Sequence, residues 1–283
     1  MSEASAKPAN ILAVDSIRRI FGRKMPPLNR RERLAIRLTL LLMFRRCRVE
    51  NPERLDHPGP MIVAANHLNS LESALTPCFL IWLRGGHKVH FMIDWMYLYV
   101  PIFGWMARTG GSIPVWRKKA RYKFFERIRE NAEQRDPVEV SREILERGGW
   151  LGIYPEATRN RDPHRLRPGH RGVARLALST GAPVLPVGID FEGRGSAQKV
   201  PSYPRMIYRI GTPLRFEEEV RLARSQEGKR TSAVREAEKQ VTLHVMEAIS
   251  GLSGKAPAEE KAPSEPRDSR RIGWREPKLR TRS

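Results

Sequence analysis

In the stretch Ala64-Ala65-Asn66-His67-Leu68-Asn69-Ser70-Leu71-Glu72 a histidine precedes a carboxylate by five residues. An imidazole that donates one ring N–H to a carboxylate keeps its other nitrogen as a base, able to take the proton of a hydroxyl. On a single helix the two residues would stand far apart, because five steps of about 100° carry the second round to another face. The useful geometry therefore puts His67 in the loop where a strand ends and Glu72 in the first turn of the helix that follows. There the helix N-terminus favours a negative charge. Taken alone, a strand-end histidine more often closes a backbone hydrogen bond than catalyses, so the surrounding elements decide.

Met61 to Ala65 is a short apolar run fenced by Pro58, Gly59 and Pro60, and reads as a buried strand. Ser70 is expected to cap a helix through Leu71, Leu75, Phe79, Leu80 and Leu83. Further strands are expected at Lys88–Ile93, at Ile113–Trp116 after a glycine turn, at Trp150–Tyr154, at Pro183–Ile189 and at Arg205–Ile210. Helices are expected over Lys118–Leu145, divided near Asp136-Pro137, and over Arg171–Thr180, Glu217–Arg224 and Thr231–Ile249. Strands alternating with helices argue an α/β fold with a central, mostly parallel sheet flanked by helices. Three strand ends then carry polar groups: His67 with Glu72, Arg117, and Glu156 with Thr158 and Arg159. In open α/β sheets ligands collect beyond the carboxyl ends of the strands. Arginine forks there suit phosphate oxygens.

The 283 residues carry a net charge of +21, so anionic partners are expected: a lipid surface, nucleic acid or a phosphorylated small molecule. The two cysteines, Cys47 and Cys78, form no paired motif, and the seven histidines form no compact ligand cluster. No disulfide framework, metal site or cofactor is implied. The N-terminus shows no signal-peptide h-region. Residues 1–10 are expected to be disordered, and Ile11–Phe21 to form a short helix. Arg18 to Arg48 holds eleven basic residues and one acid, Glu32, around an apolar core from Leu34 to Phe44. That core is too short to span a bilayer and suits a basic amphipathic helix at a headgroup layer. A core-packed helix with a solvated basic face fits the same residues. The segment Trp95–Trp105 is rich in the amphipathic rings that favour a membrane interface. The chain thus divides into a helical, membrane-surface segment over 11–50, one α/β domain over 51–250 and a disordered basic tail over 252–283.

Four ordered blocks resemble the glycerolipid acyltransferases: Asn66-His67-x4-Glu72, Gly111-Ser-Ile-Pro-Val-Trp-Arg117, Tyr154-Pro-Glu-Ala-Thr-Arg159 and Ala182-Pro-Val-Leu-Pro-Val187. The nearest type is 1-acylglycerol-3-phosphate acyltransferase, and the likeness covers about residues 58–215. The chain departs from the family pattern at Glu72, where Asp is usual, and at Tyr154 and Ala157, where Phe and Gly are usual. Alanine there is expected to lose the access to positive φ that glycine has.

The resemblance implies transfer of a fatty acyl group from acyl-CoA or acyl carrier protein to the free hydroxyl of a lyso-lipid, with 1-acylglycerol-3-phosphate first among acceptors. It implies His67 as the base and Glu72 as its carboxylate partner. Asn69, Arg117, Glu156, Ala157, Thr158 and Arg159 are implied to bind the acceptor, the two arginines on its phosphate. The basic residue near the helix start after the third block is His170 or Arg171. The expected location is peripheral or monotopic, on the cytoplasmic face of the cell membrane. A different lyso-lipid acceptor is the nearest alternative. A basic lipid- or nucleic-acid-binding protein without the chemistry is the more distant one.

Overall fold

The strand that leads to His67 lies inside a single eight-stranded sheet of a computed structural model. The structure describes residues 11–259 apart from 102, 117, 118, 120–122, 133, 227 and 228. Arg117, residues 1–10 and the 260–283 part of the tail expected over 252–283 lie outside the described residues. The strands are β1 (Ile11–Ala13), β2 (Cys47–Glu50), β3 (Met61–Ala65), β4 (Val89–Asp94), β5 (Ile113–Val115), β6 (Trp150–Ile153), β7 (Val184–Phe191) and β8 (Met206–Ile210). Their spatial order is β1-β2-β8-β7-β3-β6-β4-β5. Only the β1/β2 and β7/β8 pairs are antiparallel; the others run parallel. This is the mostly parallel, helix-flanked sheet that the alternating pattern predicts.

β3 is buried on both faces, as its unbroken apolar run requires. Met61, Val63 and Ala65 face one core, with Ile36 and Leu40 of α2 (Arg30–Leu42) and Leu75 and Phe79 of α3 (Ser70–Leu83). Ile62 and Ala64 face the other core. There they meet Val173 and Leu176 of α7 (Gly172–Thr180) and Val241 and Val245 of α9 (Ser232–Ser253). Between these lie α4 (Phe103–Thr109), α5 (Lys123–Asn131), α6 (Pro137–Glu146) and α8 (Glu217–Ser225).

Three expectations are corrected. Residues 11–50 are not a separate helical segment. Ile11–Ala13 pairs antiparallel with β2, and β2 pairs in parallel with β8, so both strands belong to the main sheet. Helix α1 is only Ile17–Gly22, capped by Ser16. The amphipathic helix is α2, which starts in a capping box between Asn29 and Glu32 and stops at Leu42. The cap of α3 is Asn69 rather than Ser70: its side-chain oxygen accepts from the Glu72 N–H at 2.9 Å. The folded chain also runs past residue 252. Ser253 and Lys255 are buried, and Ala256 bridges to Arg165. The backbone N–H of Leu166 donates to the Ala256 carbonyl, and that of Ala256 to the His164 carbonyl.

Candidate active site

β3 and β6 lie side by side in parallel, so their carboxyl ends open onto the same edge. His67 leaves the end of β3, and the loop after β6 closes on it from the neighbouring strand. Glu72 occupies the third position of α3, and its side chain is fully buried. The His67 Nδ1 lies 3.0 Å from Glu72 Oε2. A carboxylate only accepts, so Nδ1 carries the proton and Nε2 presents its lone pair. Among the described residues Nε2 has no hydrogen-bond partner, and the His67 side chain keeps 13% of its surface exposed. The pair therefore has the base geometry that the spacing predicts.

Glu72 is held by more than the imidazole. Oε2 also accepts from the Leu68 N–H at 3.2 Å. Oε1 accepts from Thr76 Oγ1 at 3.1 Å and from the Tyr154 hydroxyl at 2.7 Å. Because the Thr76 hydroxyl gives its proton to Glu72, its 2.9 Å contact with the Tyr208 hydroxyl makes Tyr208 the donor. The Tyr154 ring stacks on the His67 imidazole, with centroids 4.4 Å apart and planes 22° apart, and leans on Phe91. Burial, reinforced by the Glu72 charge, raises the Tyr154 phenol well above its usual range, so it stays a donor.

The loop after β6 grips the main chain of His67 on both sides. Glu156 is 1% exposed, and its Oε2 accepts from the His67 N–H at 2.7 Å. Its Oε1 accepts from Asn160 Nδ2 and from the Arg167 N–H, each at 2.8 Å. The Asn160 N–H in turn donates to the His67 carbonyl at 2.8 Å. Lys255 fixes the same loop from beneath, its Nζ donating to the Asp162 carbonyl at 2.6 Å. Burial lowers the Lys255 pKa from the usual lysine range. Asn66 ties β3 to β7 by a two-way bond with the backbone of Ile189, at 2.8 and 2.6 Å.

The residues expected to bind an acceptor fall into distinct places. Ala157, Thr158 and Arg159 are exposed on the loop that holds His67. Asn69 is buried with both ends of its amide engaged, Oδ1 capping α3 and Nδ2 donating to the Pro201 carbonyl. Both Glu156 oxygens are likewise taken by groups of the chain. Arg117 lies outside the described residues, so its place is not assigned. Ala157 keeps the left-handed conformation, at φ +53°, against the expectation that alanine would abandon it. The same loop also carries exposed Arg161, Arg165, Arg167, His170 and Arg171, of which Arg165 pairs with Glu259.

The residues that reading by spacing missed are Thr76, Tyr154, Asn160, Tyr208 and Lys255. Thr76 stands one helical turn after Glu72 on α3, a signal visible in the sequence, whereas Asn160 meets Glu156 within a non-helical loop that leaves none.

A model of the acyltransferase family matches residues 46–190, just over half of the 283 residues. The chain belongs to the acyltransferase family. The matched region contains His67, Glu72, Tyr154, Glu156 and Asn160. Among curated relatives, a 1-acyl-sn-glycerol-3-phosphate acyltransferase of Pseudomonas aeruginosa is 28% identical over 155 residues, 55% of this chain and 53% of that protein. The chloroplastic 1-acyl-sn-glycerol-3-phosphate acyltransferase BAT2 of Brassica napus is 26% identical over 138 residues, 45% of this chain and 37% of that protein. The aligned part thus spans between about a third and a half of these relatives. Among solved structures, the 1-acyl-sn-glycerophosphate acyltransferase PlsC from Thermotoga maritima is 18% identical, with a TM-score of 0.46 over 76% of this chain and 77% of that one.

Proposed function

We propose that this chain moves a fatty acyl group from a thioester, acyl-CoA or acyl carrier protein, to the free hydroxyl of a lyso-lipid, and that the acceptor is 1-acylglycerol-3-phosphate. The observation that carries the reading is the open Nε2 of His67, whose Nδ1–H is held at 3.0 Å by the buried Glu72. Nε2 takes the acceptor's hydroxyl proton as the oxygen attacks the thioester carbonyl carbon. The C–S bond then breaks, the sulfur takes the proton from the imidazolium, and the products are an ester and a free thiol. General base catalysis of this kind is worth about 10²–10⁴ in rate. Glu72 holds the tautomer and balances the charge that forms on the ring. Nothing in the proposed step needs a cofactor.

The anionic acceptor is supported by the run of exposed arginines on the loop that grips His67, Arg159 among them. It is supported also by the relatives, each a 1-acyl-sn-glycerol-3-phosphate acyltransferase. We place the reaction at a lipid surface. Among the described residues no helix is long and apolar enough to cross a membrane. α2 exposes Leu34, Leu38, Leu41 and Leu42 beside Arg30, Arg33 and Arg37. α4 packs on α2, and the adjoining Tyr97, Tyr99, Val100 and Trp105 are exposed too. An apolar stripe with a basic flank suits an anionic headgroup layer.

The test is free-thiol release from long-chain acyl-CoA and acyl carrier protein against a panel of lyso-lipids. Transfer to 1-acylglycerol-3-phosphate is expected. Transfer only to a neutral or zwitterionic lyso-lipid would overturn the acceptor assignment, and no transfer to any lyso-lipid would overturn the reaction.

A further inference from the structure

One side chain touches both members of the catalytic pair. The Tyr154 hydroxyl donates to Glu72 Oε1 at 2.7 Å, the shortest of the contacts that Glu72 makes, while the Tyr154 ring lies 4.4 Å from the imidazole it stacks on. We propose that Tyr154 is a positioning residue that sets Glu72 and His67 in register, and that Glu72 and Tyr154 act as one unit. This rests on the acyl-transfer reading above.

The physical case begins with the carboxylate. Glu72 reaches back from the third position of its helix, and its backbone N–H is pinned by Asn69. A glutamate has three side-chain torsions, and burial alone does not choose among its rotamers. The choice is made by what each oxygen meets. Oε2 faces Nδ1 and the Leu68 N–H, and Oε1 faces the Thr76 and Tyr154 hydroxyls. The Tyr154 hydroxyl therefore anchors the oxygen opposite the one that holds the imidazole, and stops the carboxylate from turning about its last torsion.

The ring does the second half. Stacked at 22°, it blocks rotation of the imidazole out of the plane that points Nε2 outward. It also presents a π-face to the ring on which positive charge forms. Phe91 backs the tyrosine, and Gly152 makes room for Phe91: a Cβ at Gly152 would lie 2.2 Å from that ring.

The Tyr154 hydroxyl bonds to Glu72 and not to the imidazole, so its effect must appear as coupling to Glu72. A Tyr154→Phe change keeps the stack and removes the anchor. A Glu72→Asp change withdraws the carboxylate by one methylene, which strands the buried tyrosine hydroxyl. The double change removes both the stranded hydroxyl and the long side chain.

The experiment measures acyl transfer to 1-acylglycerol-3-phosphate for the wild type, Tyr154→Phe, Glu72→Asp and the double variant. It is paired with the low-field NMR resonance of the His67 Nδ1–H, assigned by its loss in His67→Ala. Each single change is expected to lower kcat about tenfold with KM for the acceptor unchanged, and the double variant about tenfold rather than the hundredfold product. The Nδ1–H resonance is expected to shift in Tyr154→Phe. A Tyr154→Phe enzyme at wild-type kcat with an unmoved resonance would overturn the proposal, as would a double variant that shows the full product. If the wild type transfers nothing, the reaction is wrong, and the resonance alone still reports whether Tyr154 sets the pair.

Discussion

Replacing Glu156 separates two accounts of the loop after β6. As a ligand for the acceptor, its loss would raise KM and leave the fold intact. In the structure it is a clip. It is 1% exposed and accepts from the His67 N–H at 2.7 Å and from Asn160 Nδ2 and the Arg167 N–H at 2.8 Å. Glu156→Ala strands these three donors in a largely buried place. Each stranded donor costs about 1–3 kcal/mol, and water entering the gap recovers part of that, so a net loss of about 4 kcal/mol is expected. For a domain of this size about 2–4 °C of Tm accompanies each kcal/mol, so the midpoint falls by about 8–16 °C. Glu156→Gln keeps the shape but turns an N–H₂ toward donors, and should fall by roughly half as much. Thermal unfolding by circular dichroism reads the midpoint, and acyl transfer on the same samples reads kcat and KM. Because the His67 main chain is what the clip holds, kcat should drop with stability in both variants. A Glu156→Ala protein that melts within about 1 °C of wild type, with only KM raised, would refute the clip.

Ala157→Gly should stabilise the protein, because a left-handed alanine at φ +53° carries about 1 kcal/mol of strain that glycine does not. The expected rise in Tm is about 2 °C by calorimetry, and a fall would contradict it. Leu38→Asp with Leu42→Asp, at positions 45% and 52% exposed, should weaken co-sedimentation with anionic vesicles about tenfold while leaving Tm within about 1 °C. Unchanged vesicle binding would remove α2 from the lipid contact. Gly188→Ala would put a Cβ 2.3 Å from the backbone of Leu252, forcing the end of α9 off the sheet. A loss of more than about 2 kcal/mol in urea unfolding is expected, and a neutral result would show that the chain end is not packed as described.

β3, β6 and β7 were legible as apolar runs buried on both faces, Met61–Ala65 most clearly, whereas β4 and β5 are buried only in part and were marked by the turns that bound them. β1 and β2 were not. Three residues, Ile11–Ala13, show no period, and Arg48 and Glu50 in β2 look like the helix surface around them; the parallel edge of β8 makes them strands. His67 and Glu72 were legible from one strand-to-helix junction, and the cap was misplaced by a single residue between Asn69 and Ser70. The Glu72–Tyr154 bond was hidden although both residues depart from the family pattern. It depends on β6 lying beside β3, and sheet order leaves no local trace. Lys255 was hidden by its composition: it begins a Pro-, Ser- and Lys-rich stretch, yet is 1% exposed and tied to the Asp162 carbonyl.

If His67 removes the acceptor's proton, its loss must abolish transfer, and a comparison of wild type with His67→Ala decides this. Acyl transfer from long-chain acyl-CoA to 1-acylglycerol-3-phosphate would be followed by free-thiol release, with thermal unfolding confirming that both proteins are folded. A loss of at least about 10³ in kcat, with vesicle binding unchanged, is the predicted result. A folded His67→Ala protein that keeps transfer within about tenfold of wild type would contradict the account.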